Sequence, residues 1–214
     1  MTPAEIMLRE TVDWSDVPRG MAVHRINAAT AGLEAGVLAS WFAAQALRPQ
    51  SSTSGLLSLA LVMGTMCQES RFDPTAIDQN LSPQHPTPAF ATTDWGLVQI
   101  DGLYLPSYTG MAGLTQPAMI ARSQDPEWAI PTLATALLDR LVWAAPVVAA
   151  YLSRLEVDRP DHGEAWYTQW VAAQSYNAGE TGTINQLKAG VFDPYADDVL
   201  GFAVTFAALL ERPD

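Results

Sequence analysis

The sequence predicts a mainly α fold with irregular loops and at most a minimal β element. Three observations lead there. Ala- and Leu-rich stretches repeat apolar residues at helical spacing. Polar segments bearing Pro and Gly separate those stretches. Runs of alternating apolar and polar residues are scarce, which leaves little room for a sheet. A chain of 214 residues, 49% hydrophobic and 16% charged, suits one domain, or one domain with a small appendage, built on a substantial core.

In chain order, residues 1–50 form a first region, read as an N-terminal helical extension of one or two helices. The polar connector "RPQSSTSG" (48–55) follows, with Ser52, Thr53 or Ser54 able to cap the next helix. Residues 51–214 are read as the second region. A helix over about 55–69 is apolar on nearly every face, the mark of a buried central helix. Prolines 74, 83, 86 and 88 make the next segment a structured loop. "WGLVQID" reads as a short strand or an irregular turn, and Gly102, Pro106 and Gly110 keep the following stretch loop-like. From residue 125 a long helix or two is expected, capped by Asp125, with Pro126 in its first turn and a kink or break at Pro146. Another helix starts near 164 and stops at Gly179. A last one is capped by Asp193, with Pro194 in its first turn.

Composition excludes several functions. A net charge of −12 and a pI near 4.4 oppose binding to nucleic acid, whose phosphates would be repelled. One cysteine, Cys67, permits no intrachain disulfide; in an apolar helix it reads as a small hydrophobe rather than a nucleophile. His24, His85 and His162 are scattered, no phosphate-binding glycine pattern appears, and no calcium-loop spacing exists, so no metal or cofactor is expected. No unbroken apolar run reaches ~18 residues, so membrane insertion is not expected. The start lacks a basic region followed by an apolar core, so no secretory signal is read.

The stretch "MCQESRFDP" stands out because an apolar helix runs straight into a carboxylate, Glu69. Alone, Glu69 reads most simply as the place where the chain meets solvent. Two other islands change that. "ESRFDPTA" (69–76), "DWGLVQI" (94–100) and "AAQSYNAG" (172–179) together resemble the three signature blocks of the lysozyme-like superfamily, in its soluble lytic transglycosylase (SLT) branch. The matched positions are Glu69, Ser70, Phe72 and Ala76; then Gly96, Leu97, Gln99 and Ile100; then Tyr176, Asn177 and Gly179. The resemblance covers about residues 52–208. Val98 stands where the family often has Met, Ser175 where it usually has Ala, and the Pro-rich loop is long.

The resemblance implies an SLT-type lysozyme-like fold and cleavage of the MurNAc–GlcNAc bond of bacterial peptidoglycan. The chemistry agrees: glycoside cleavage needs an acid for the leaving oxygen, and an apolar surround raises a Glu pKa enough to supply one at neutral pH. Glu69 is the candidate acid, and then base. Tyr176 is expected to orient its carboxyl. Ser70 and Gln99 are expected sugar contacts, since a hydroxyl and an amide bond to sugar hydroxyls and N-acetyl groups. Gly96 is expected to let backbone approach the sugar. Asn177 is a candidate for sugar contact or for shaping the turn after its helix.

Asp94 stays open between two readings. "TDWG" also resembles the block of animal lysozymes whose Asp is the second catalytic carboxylate, which would allow hydrolysis. It is equally a turn-former before Trp95 and Gly96. The single-Glu transglycosylase mechanism is preferred, ending in 1,6-anhydro products. Asp73, Asp78 and Asp101 read as caps and turns. Without an export signal, two routes to the wall remain: carriage on a phage virion, with residues 1–50 as a docking segment to tail or other virion proteins, or release as a free endolysin. A structural virion component that keeps the fold is the non-enzymatic alternative.

Overall fold

The computed structural model describes residues 56–80 and 87–210. The expected helices before residue 50, the connector with its caps and the prolines at 83 and 86 lie outside these residues. Within them the protein is mainly helical with one small sheet, as the sequence predicts. The chain divides into two compact units. One holds residues 69–132, and the other holds residues before 69 together with those from 133 onward.

Helix α1 (Leu59–Ser70) begins at Ser58, whose Oγ accepts the Leu61 N–H at 3.1 Å. Residues 60–67 are all buried, so no face of this helix is left to solvent there. In the second unit, Gly64 lets α1 approach the backbone of helix α5 (Tyr195–Leu210): a Cβ at this position would lie 2.9 Å from Ala203 N.

The first unit is built from short pieces. Strands β1 (Ile77–Gln79), β2 (Thr93–Trp95) and β3 (Ile100–Asp101) pair antiparallel in that order. Thus "WGLVQID" is the end of one strand, a turn and a second strand. The Pro-bearing segment expected as loop alone also contributes β1, which is fully exposed and carries no apolar alternation to reveal it. Helix α2 (Gln116–Ser123), which the sequence reading passed over, has Thr115 at its N-cap position and Pro117 in its first turn.

Helix α3 (Pro126–Asp158) is one helix of 33 residues. Asp125 caps it as expected, accepting the Glu127 N–H at 3.0 Å. Pro146 does not break it. The N–H that Pro146 lacks would have served the carbonyl of Val142, an exposed residue that solvent can satisfy. Its buried stripe runs Ile130, Leu133, Leu137, Leu141, Ala144, Val148 and Leu155. An 18-residue window of α3 reaches a mean hydropathy of 1.5, so by length and composition alone it could cross a bilayer. Core helices pass the same test; in α3, 33% of that window is buried.

Helix α4 (Glu164–Ala189) starts where expected, but Gly179 interrupts rather than ends it. Gly179 takes φ 68° and ψ 166°, and the helix resumes to the left-handed cap at Gly190. In α5 the Asp193 carboxylate accepts the Tyr195 N–H at 3.0 Å, as its capping role required. Asp193 also accepts the side-chain amides of Gln174 (2.8 Å) and Gln186 (3.0 Å), tying both halves of α4 to the start of α5. Nearby, Arg159 bonds Asp197 at 2.7 Å and lies over the Trp170 ring, whose Nε1 donates to the same Asp197.

Candidate active site

The first two sequence blocks fold into one structure within the first unit. Glu69, half-buried, is the penultimate residue of α1. Beside it Ser70 donates its Oγ–H to the Leu97 carbonyl at 2.7 Å. The Ala76 carbonyl accepts the Gly96 N–H at 3.0 Å and the Gln99 side-chain amide at 3.1 Å. The Gln99 amide also reaches the Gly96 carbonyl at 2.7 Å, closing the turn between β2 and β3. Ser70 and Gln99 therefore spend their donors on holding the two blocks together, a role the sequence reading did not assign them.

Backbone strain concentrates here. Among the described residues, four non-glycine residues have positive φ, and three lie in these blocks: Arg71 at 50°, Phe72 at 60° and Gln99 at 48°. Left-handed backbone costs an L-residue roughly 1–2 kcal/mol. It persists where neighbouring bonds over-determine it, as at functional sites. The buried Phe72 ring and the Gln99 hydrogen bonds supply that constraint.

Gly96 is explained differently from the expectation. At φ +80°, it packs so closely on the carbonyl of Ser123, the last residue of α2, that a Cβ would collide with that backbone. Its freedom serves the fit between turn and helix.

Asp94 lies in the middle strand, opposite Asp78 on one side and Asp101 on the other. Burial pushes its carboxyl up to about 6, with the charges of Asp101 and Asp78 acting in the same direction. A 2.7 Å hydrogen bond from the Asn80 amide opposes the shift. The sequence pointed to Asp94 only as a turn-former or second carboxylate; neither cross-strand partner is close to it in sequence. Asp73 and Asp101 do act in turns, accepting the N–H groups of Thr75 and Leu103 respectively.

The third block lies in the second unit, on α4. Tyr176 is half-buried, Asn177 is exposed, and both precede the Gly179 interruption. Ser175, the departure from the expected Ala, is fully buried and donates to the Ala172 carbonyl at 2.8 Å. Cys67 is buried and forms no disulfide. Among the described residues no group of three or more His, Cys, Asp or Glu side chains is arranged to hold a metal ion.

No family model, curated protein or solved structure matches this chain.

Proposed function

We propose that this protein has an SLT-type lysozyme-like fold and cleaves peptidoglycan as a lytic transglycosylase, with Glu69 as acid and then base. One observation carries the proposal. Two separate sequence blocks, one containing the carboxylic acid and the other the Gly-Leu-x-Gln turn, are bonded together at the end of an apolar helix in strained backbone.

In the reaction Glu69 gives its proton to the glycosidic oxygen as the bond from MurNAc C1 breaks, freeing the GlcNAc 4-hydroxyl. The substrate's N-acetyl group stabilises C1. The Glu69 carboxylate then removes the proton of the muramic 6-hydroxyl, whose oxygen bonds C1. The product is a 1,6-anhydro ring, no water is consumed, and Glu69 is protonated again. Asp94 takes no step in this scheme; product analysis and Asp94→Asn distinguish it from a hydrolytic one in which Asp94 is the second carboxylate.

The cell wall is the expected partner, reached from a phage virion. An acidic enzyme gains no electrostatic steering toward anionic wall polymers, and tethering to a particle replaces it with high effective concentration.

The test is mass spectrometry of products from purified peptidoglycan. Wild-type protein should release fragments with 1,6-anhydro ends, one water lighter than hydrolysis products. Glu69→Gln should lower their formation by at least about 10²-fold, the smaller end of what general acid catalysis contributes. Reducing ends in the wild-type digest, or more than a tenth of the activity left in Glu69→Gln, would overturn the assignment.

A further inference from the structure

The small sheet has a second face, which the proposed chemistry does not use. Side chains alternate along a strand, so the residues between the aspartates point away from them. Ile77 pairs with Trp95 there, and Gln79 with Thr93. These four residues line a cleft of about 370 Å³ within the first unit, closed on the far side by α2 through Pro117 and Ile120. That volume lies at the lower end of the range for small-ligand sites, roughly 300–1,000 Å³.

We infer that this cleft is a carbohydrate-binding site, taking a neutral β-linked N-acetylhexosamine segment apart from the bond being cleaved. Its lining states the ligand's chemistry. Phe90 and Trp95 stack at 6.2 Å with 27° between their planes. The Trp95 Nε1–H is turned onto the Phe90 carbonyl at 3.4 Å. The indole orientation is thereby fixed, and Gly102 packs against the same carbonyl where no side chain would fit. Preformed aromatic faces suit the apolar face of a pyranose ring. At the rim stand Gln79 and Gln116, both exposed. Their carboxamides offer the donors and acceptors that sugar hydroxyls and N-acetyl groups require.

Charge narrows the choice further. The protein carries −12, yet among the described residues none that lines the cleft is ionisable. A charged ligand would find no ionic partner among the described lining residues. A peptide is disfavoured too, because the cleft opens on the face of the sheet, where a strand could not add its main-chain bonds. That the sugar comes from a bacterial wall rests on the proposed function; that it is a neutral sugar rests on the lining.

The experiment titrates isotope-labelled full-length Glu69→Gln protein with chitotriose, the neutral β-1,4 trimer of N-acetylglucosamine, and follows the Trp95 indole N–H and the Gln79 and Gln116 amides by NMR. Saturable shifts are expected, with affinity on the order of millimolar. Adding Gln79→Ala and Gln116→Ala together should weaken the Trp95 response at least tenfold while the rest of the spectrum stays folded. With Glu69 intact, the same double variant should still release wall products. An indole resonance unmoved by the sugar, an equal response in the double variant, or saturation by a proline-rich peptide instead of chitotriose would each overturn the inference. Sugar binding at Trp95 in a protein that cleaves no peptidoglycan would uphold the site and remove only the activity.

Discussion

The two compact units differ in how they are held. The second is made of long helices with a buried apolar stripe and capped ends. Its exceptional side chains, Arg159 and Gln174, are built into shared polar networks. The first has strands of two or three residues, short turns and three non-glycine residues in left-handed backbone. Its carboxylates face one another across strands, and one is pushed well above its usual range. Strain and unfavourable charge are concentrated in the first unit; the second holds one left-handed non-glycine residue, Asp161, and one carboxyl raised by burial and by the Asp197 charge, Asp198. That concentration is what the proposed function requires of the first unit.

The largest expected effect sharpens the contrast. Gly96→Ala puts a methyl group into the Ser123 backbone at a φ of +80°. It should destabilise the protein by more than about 3 kcal/mol, read from urea unfolding, because neither backbone can yield. A loss under about 1 kcal/mol would mean that the turn is looser than its geometry implies.

A smaller effect is expected in the second unit. Asp197→Ala removes the carboxylate shared by Arg159 and the Trp170 indole. The cost should be about 2 kcal/mol, since hydrogen bonds to charged groups contribute more than neutral ones. Wall cleavage at a temperature where the variant stays folded should not change. A fall in turnover there would break the proposed separation of roles.

The smallest effect concerns Asp94, and its sign is the test. Its folded pKa, about 6, lies above its ordinary 3.8. The folded protein therefore holds this proton more tightly than the unfolded chain does. The associated stability is present below the ordinary value and lost as pH rises through about 6. Asp94→Asn should gain on wild type across that window, by about 1 kcal/mol once solvent screening of a half-buried group is allowed for. Unfolding midpoints on either side of the window measure it, and a gap that narrows with rising pH would contradict the assigned shift. Activity should change by less than about tenfold; near-complete loss would instead make Asp94 a second catalytic carboxylate.

Helices with caps were legible in the sequence. Asp125 with Pro126, and Asp193 with Pro194, marked their starts correctly because capping is decided within a few residues. Prolines misled where exposure relieved them, as at Pro146, and Gly179 was read as an end because its resumption depends on residues after it. In α2, Thr115 followed by Pro117 was a start signal left unused. The motif blocks named Glu69, Ser70, Gly96 and Gln99 but not their bonds. Ser70 meets Leu97, and Gln99 meets Ala76, only after the intervening chain has folded back. The raised carboxyl at Asp94 was hidden for the same reason, since strand register sets it.

Helix α3 carries prolines at 131 and 146, and neither can donate to the turn before it. Its ladder is therefore interrupted twice along roughly 50 Å of helix. The carbonyls that lose a donor belong to Glu127 and Val142, both exposed. Deuterium uptake along α3 should consequently be stepped. Amides just after each proline should exchange faster than those in the middle of each uninterrupted run, so that one continuous rod opens in separate lengths.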